Sequence, residues 1–346
     1  MTDDSADAPR VLCPVCLSRV GPDSGELREW RDGEYRPLYV PDGATEHMRL
    51  RIMRTRAQVL CPNRGNEYPE HHLPYQYVNQ RRDPVVVALV GAPRSGKTHL
   101  LASMVGAIQE QGLNRFGLSA SPLDVNAYER FTNTRVRPLL GQGRVLARTN
   151  DDVWEFEVGL MVSDGSDQRA VAFFDVAGEV MDTVGKVSRQ AFFDKVDGFV
   201  FVVSPDDLED DRADTTFSAV LDVVEDKQDK AAVVVVGKAD VYRYEHPVDR
   251  WLRDGVCLDD ASRIAAETED LYAFIDRYDK GGSYLRPWTE FGRSAIHAVS
   301  ATGGARLPDS PSYSRPVRPQ RTLQPFLTLM AMTGVATAPG ARGVGL

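Results

Sequence analysis

Cysteine is scarce in this chain: four in 346 residues, Cys13, Cys16, Cys61 and Cys257. So thin a set does not suit a disulfide-stapled secreted domain, and reduced thiols of this kind serve as metal ligands or core residues. Long apolar runs are also missing. The longest, such as Val85–Val90 and Ala231–Val236, are of strand length, whereas a membrane helix needs about 20 apolar residues. No membrane span is expected. Nor is there an excess of base: 41 Lys and Arg stand against 50 Asp and Glu, a net charge of −9. The resulting pI near 5.3 argues against a protein whose whole surface binds nucleic acid. The N-terminal MTDDSADAPR is acidic and polar, unlike a signal peptide, so the cytoplasm is the expected location. What is present is a hydrophobic content of 42%, enough for a sizeable core. The length suggests about two domains.

The charge is uneven. Residues 1–82 are net zero, 83–302 are net −13 and 303–346 are net +4. The acidic middle alternates strands and helices. PVVVALVG (84–91), AVAFFDV (170–176), GFVFVVS (198–204) and AAVVVVG (231–237) are the continuous β-branched runs of strands buried on both faces. SAIHAVS (294–300) is a weaker fifth strand, and VWEFEVGLMV (153–162), which alternates in part, fits a sixth at the sheet edge. Thr98–Gln111 places Leu101, Met104, Val105 and Ile108 on one helical face. Asp259–Lys280 predicts a helix ending at Gly281–Gly282, and Thr322–Thr333 a closing helix. The expected division is a disordered N-terminus (1–12), a small module (13–82), a mostly parallel six-stranded α/β domain with insertions (83–333) and a disordered Gly/Ala-rich tail (334–346). Gly303–Gln320, rich in Pro, Ser and Arg, is expected to be an exposed loop.

Gly91, Ala92, Pro93, Arg94, Ser95, Gly96, Lys97 and Thr98 match GxxxxGK[ST] between a buried strand and an amphipathic helix. In that setting the backbone wraps phosphates and the helix N-terminus adds positive dipole. Lys97 is expected to reach the β- and γ-phosphates, and the Thr98 hydroxyl to ligate Mg²⁺. Pro93 has no N–H to donate and stiffens the loop. Three further elements follow in order, each after a strand: Asp175-Val176-Ala177-Gly178-Glu179, Gly237-Lys238-Ala239-Asp240 and Ser300-Ala301-Thr302. Ligands of open α/β sheets bind at such strand ends.

These elements resemble the DxxG, [NT]KxD and SAK motifs of Ras-, Rab- and Arf-like GTPases, a resemblance that covers 83–333. It implies a P-loop GTPase fold that binds GTP or GDP with Mg²⁺. Asp175 would meet the metal through water, and the Gly178 amide would sense the γ-phosphate. Asp240 would accept from guanine N1–H and N2–H₂, with the Lys238 stem over the base. A main-chain amide in Ser300–Ala301 would meet guanine O6. The switch I threonine that completes the Mg²⁺ shell must precede the 153–162 strand; Thr149 is the choice and Thr134 the alternative. Within the superfamily the N-terminal Cys/His module (Cys13, Cys16, Cys61, with His71 and His72), the Asp175–Glu179 DxAGE element, the Lys238–Asp240 KAD element and the Pro-led apolar closing helix resemble the bacterial double-GTPase type, which implies a paired GTPase, an effector or an activator as protein partner, in prokaryotic signalling or conflict systems.

Departures from the pattern bear on turnover. Glu179 stands where small GTPases usually have a water-orienting Gln, and Gly237 replaces the bracing Asn or Thr. A carboxylate can align water but repels the γ-phosphate, so slow hydrolysis is expected, raised by a partner's arginine. Arg94, Arg148 and Arg189 are the arginines the chain itself could offer. The alternatives are a hydrolysis-deficient nucleotide-binding scaffold and a P-loop ATPase.

Cys13-Pro14-Val15-Cys16 is a CxxC knuckle, and Cys61 opens a second half in which Arg64 stands where a zinc ribbon would place its next Cys. His71 or His72 could supply the fourth ligand of a structural Zn²⁺. Free cysteines in a small β-module are the other reading. Met48–Arg56 reads as an exposed strand with Arg49 and Arg51 on one face, and Cys257 as an inert core thiol.

Overall fold

A computed structural model describes residues 10–63, 70–79, 82–147, 154–176, 186–209, 216–308 and 310–346. In chain order the N-terminal module contains β1 (Val11–Leu12), β2 (Arg19–Val20), β3 (Leu27–Arg31), β4 (Glu34–Pro37), α1 (Glu46–Thr55), β5 (Gln58–Leu60), β6 (His72–Pro74) and α2 (Tyr75–Asn79). The larger unit follows with β7 (Val85–Val90), α3 (Lys97–Gln109), β8 (Ser119–Pro122), α4 (Val125–Phe131), a π-helical run (Thr132–Gly141), β9 (Trp154–Ser163), β10 (Gln168–Val176) and α5 (Lys186–Phe193). It continues through β11 (Gly198–Val203), α6 (Pro205–Glu209), α7 (Thr216–Leu221), β12 (Ala231–Val236), α8 (Val248–Arg253), α9 (Ala261–Asp276), α10 (Gly281–Glu290), β13 (Arg293–Ala298) and α11 (Gln324–Met332).

The large sheet runs β13-β12-β11-β7-β10-β9-β8. Neighbours from β13 to β10 pair in parallel, whereas β9 and β8 are antiparallel. The strand period of two sorts the side chains. Val85, Val87 and Leu89 of β7 face a layer with α3 and α11, while Val86, Ala88 and Val90 face a layer with Phe217, Trp251, Leu271 and Phe274. Both faces are covered, which is why these strands read as unbroken apolar runs.

The fold is the α/β sheet expected, with one strand more. Residues 119–122 (SASP) form β8 outside β9, so the 153–162 strand is not the edge. A short polar strand ending in proline carries almost none of the apolar signal by which strands are recognised. Met48–Arg56 is helical rather than extended: Thr45 caps α1, its hydroxyl accepting from Met48 N at 3.3 Å. Leu, Met, Arg and Glu favour helix, and this outweighs the accidental alternation of Met48, Leu50 and Ile52. The helix expected to run to Lys280 stops at Asp276, and Gly281 opens α10 rather than closing that helix. The tail is not loose either, since Val344 and Ala341 are buried against the α3/α11 layer. At the other end Val11 and Leu12 already form β1, and residues 1–9 lie outside the described set.

The N-terminal module, with a four-stranded antiparallel sheet β4-β3-β5-β6, docks on the outer strands. Val11, Val59, Leu73, Tyr77 and Val78 share one apolar cluster with Leu123, Met161 and Ala170. Asp124 joins the two units: one carboxylate oxygen caps α4 at Ala127 N (2.8 Å), the other accepts from His72 N (2.9 Å). Asp83 accepts from Leu12 N and from Arg19.

Candidate functional site

The phosphate side is built at the end of β7. A Cβ at Gly91 would meet Val202 O at 2.5 Å, so the strand can turn there only as glycine. Gly96 sits at φ +104° directly before α3, a conformation that admits the tight entry into the helix. Ser95 N closes a turn on Ala92 O at 3.1 Å, and Pro93 and Arg94 form the exposed tip. Lys97 Nζ donates to Gly91 O at 2.8 Å and lies 3.8 Å from Asp175 Oδ1. The Thr98 hydroxyl donates to Asp175 Oδ2 at 3.4 Å. An ammonium, a hydroxyl and a carboxylate thus converge at the N-terminus of a 13-residue helix. The first suits a polyphosphate; the two hard oxygens suit Mg²⁺.

The second half is built at the ends of β12 and β13. Asp240 is buried; its Oδ1 accepts from the Ser300 hydroxyl at 2.5 Å, and that hydroxyl in turn accepts from Gly303 N at 2.8 Å. Among the described residues no hydrogen bond is made to Asp240 Oδ2. Lys238, at φ +48°, pairs with Asp206 at 2.7 Å. Ala239 N donates to Val299 O, tying the Lys238–Asp240 turn to the Ser300 loop.

The two halves meet. In the sheet β11 alone separates β7 from β12. A Cβ at Gly237 would stand 3.4 Å from Ser95 O and 3.1 Å from a Val202 methyl. The backbone there approaches the phosphate loop directly, without the side chain that usually braces it. Ser103 on α3 donates to Ala301 O at 2.7 Å. Lys97 and Asp240 therefore both follow the carboxyl ends of parallel strands of one sheet, the end at which open α/β sheets bind ligands.

Thr149, Gly178, Glu179 and Arg148 fall outside the described residues. Thr134, exposed on the π-helical run, donates its hydroxyl to Arg130 O at 2.8 Å. Residues that no motif flagged also reach the site. His99 follows Thr98, and its Nε2 accepts from Leu146 N at 3.2 Å; burial, and then the Lys238 charge, pushes it down to about 4. Its adjacency to the GKT signature was the available signal. Behind the Ser300 loop Arg321 forms a two-pronged pair with buried Glu267, which also contacts His297 Nδ1 at 2.9 Å. Nothing local in the sequence links these three.

In the N-terminal module Cys13, Cys16, Cys61 and His71 bring all four ligand atoms within 4.8 Å of one another, every residue buried. Cys16 Sγ lies 3.7 Å from Cys61 Sγ, and Cys13 Sγ lies 3.3 Å from His71 Nε2. A tetrahedron with Zn–S of about 2.3 Å has edges of about 3.8 Å, so the cluster fits that ion and is too open for a disulfide. The thiols act on one another: hydrogen bonds from Cys13 and Cys61 push the Cys16 thiol down, while burial pushes the Cys13 thiol up. Of the two candidate histidines it is His71 that joins. His72 stacks on Tyr35 instead, with ring centroids 3.5 Å apart. Cys257 is buried in the core, its thiol pushed up by burial.

A sequence model of the Double-GTPase 2 family matches residues 85–271. Solved structures that match include a bacterial selenocysteine-specific elongation factor, EF-Sec, at 17% identity and a TM-score of 0.31, covering 64% of this chain and 26% of that one. Another is the ADP-ribosylation factor-like GTP-binding protein, small COPII coat GTPase SAR1, from Encephalitozoon cuniculi in complex with GDP. It is 14% identical with a TM-score of 0.33, over 73% of this chain and 81% of that one. The chain thus spans about a quarter of the length of EF-Sec. No curated protein matches.

Proposed function

This chain belongs to the Double-GTPase 2 family, and from that premise we propose that it is a GTP-binding switch with slow, partner-stimulated hydrolysis, held in shape by a zinc-bearing N-terminal module. The observation that supports this reading is the meeting of the two half-sites, with Gly237 against Ser95 and Ser103 on Ala301. It lets one nucleotide span from Lys97 to Asp240.

In this reading Lys97 neutralises the β- and γ-phosphates while the loop amides cradle them. Thr98 would hold Mg²⁺ directly and Asp175 through a water, with Thr149 as the switch I ligand. When bound, the ion supplies positive charge to the phosphate oxygens. Ser300 turns Asp240 so that its second oxygen meets the guanine edge. Adenine lacks the N1–H and N2–H₂ donors that this carboxylate accepts. Gly178 senses the γ-phosphate, and Glu179 orients the attacking water. The charge of Glu179 disfavours the transition state, so an arginine from a partner, worth about 10³–10⁵ in rate in related systems, sets the useful turnover. That partner is a protein: a second GTPase, an effector or an activator in a prokaryotic signalling or conflict system. No described helix is long and apolar enough to cross a membrane, and the cytoplasm is the proposed location.

Titration calorimetry with GTP, GDP and ATP at matched Mg²⁺, beside a phosphate-release assay, tests the proposal. GTP and GDP are expected to bind well ahead of ATP, with slow release of phosphate. Preference for ATP overturns the base assignment; tight GTP binding with no release, alone or with partners, overturns the hydrolytic part.

A further inference from the structure

The Gly303–Gln320 segment, expected as an exposed loop, is tied down at three places. At its base Ser300 and Gln320 exchange backbone hydrogen bonds of 3.1 and 2.8 Å. Arg318 N donates to Thr302 O at 2.9 Å. Further out, Val145 N donates to Pro311 O at 2.7 Å and Tyr313 N donates to Gly143 O at 2.9 Å. The segment is a strap. One end continues the Ser300 loop that orients Asp240; its middle pairs with the stretch that leads toward Thr149.

The strap delivers an aromatic ring. Tyr313 is half-buried and packs edge-on against His99, with ring centroids 6.4 Å apart and planes at 79°. His99 is fixed in turn, since it sits on the first turn of α3 and accepts the Leu146 N–H. Burial, followed by the Asp240 charge, pushes the Tyr313 hydroxyl up to about 12, so it stays neutral. The ring is thus held against the first turn of α3, one residue past Thr98, by a segment anchored on the Ser300 loop whose hydroxyl binds Asp240. None of the four nucleotide motifs contains Tyr313.

We propose that Tyr313, braced by His99, forms a wall of the nucleobase pocket, so that the purine read by Asp240 packs against its ring. The inference rests on the guanine reading of Asp240 and deepens it. It adds a binding residue from an insertion after the last motif. It also ties base occupancy to the segment entering switch I, because the same strap carries both.

The test is calorimetry of the full chain with GDP, ADP and inorganic tripolyphosphate, on wild type, Tyr313→Ala and Tyr313→Phe. Loss of a base–aromatic contact is expected to weaken GDP about tenfold in Tyr313→Ala. Tripolyphosphate, which has no base, should bind that variant as it binds wild type, and Tyr313→Phe should keep GDP affinity close to wild type. Unchanged GDP affinity in Tyr313→Ala overturns the proposal, as does an equal loss for GDP and tripolyphosphate, which would make the strap a support of the phosphate loop only. Wild type binding GDP no better than ADP overturns the base reading itself, a separate result. Should Tyr313→Ala fail to fold, Tyr313→Trp decides: GDP is expected to quench the added indole emission, and an unaltered spectrum overturns the contact.

Discussion

Replacing Cys61 by Ser puts the metal reading of the N-terminal module to a quantitative test. Cys61 is fully buried, its sulfur 3.7 Å from that of Cys16, and its backbone N–H donates to His71 O at 3.1 Å. The change removes one of four ligands and leaves the backbone turn intact. Structural zinc sites contribute about 10–16 kcal/mol of binding free energy at neutral pH, which counts as folding free energy. A core the size of this module's, with Val11, Val15, Val20, Val59, Leu73, Tyr77 and Val78, supplies no more than about 3–5 kcal/mol unaided. The metal term is the larger, so Cys61→Ser, or a strong chelator on wild type, should unfold the module. The loss should not stop there. Lys195 Nζ donates to Leu17 O at 3.1 Å, and Leu12 and Leu17 pack in one cluster with Phe192 and Phe193. Elemental analysis should find about one zinc per chain in wild type and a clear deficit in the variant. Limited proteolysis should then open residues 10–79 first. A full zinc complement in Cys61→Ser, or a melting curve that chelation leaves unmoved, would refute this reasoning.

Other expectations concern the nucleotide side. Asp240→Asn exchanges an acceptor for a donor opposite the guanine edge. Hydrogen bonds to charged groups contribute about 1.5–3 kcal/mol each, so GTP should bind at least about tenfold more weakly, with xanthine nucleotides gaining relative to it; competition binding would detect the exchange, and an unchanged ranking would count against Asp240. His99 is neutral in the fold down to about 4, while the unfolded chain takes up a proton near about 6.5. Its contribution is therefore constant above that upper value and is lost as pH falls from there toward 4. Melting temperature against pH should decline over that window, and His99→Leu should flatten the decline. An identical slope in the variant would contradict the buried, accepting imidazole.

Much of this was legible in the sequence, for reasons that can be named. Strands buried on both faces leave an unmistakable mark, so β7, β10, β11 and β12 stood out. The order of the motifs then fixed where the site must lie, because parallel sheets put their ligands at one end. The Cys13–Cys16 knuckle and Cys61 pointed to a metal, but spacing could not separate His71 from its neighbour; the fold does that, setting His71 Nε2 3.3 Å from Cys13 Sγ and stacking His72 on Tyr35. What escaped was non-local or weakly patterned. β8 is four polar or small residues. The strap pairs residues 143–145 with 311–313, and Glu267 on α9 meets His297 on β13 and Arg321 ahead of α11. No local pattern marks contacts of such separation. In α1 the alternation was real, and straight-chain helix propensity overrode it.

The most direct measurement is a crystal structure with a non-hydrolysable GTP analogue and Mg²⁺. The account predicts one nucleotide whose β- and γ-phosphate oxygens meet Lys97 Nζ while guanine N1–H and N2–H₂ point at Asp240. A base that lies away from Asp240, with the phosphates still on Lys97, would contradict it.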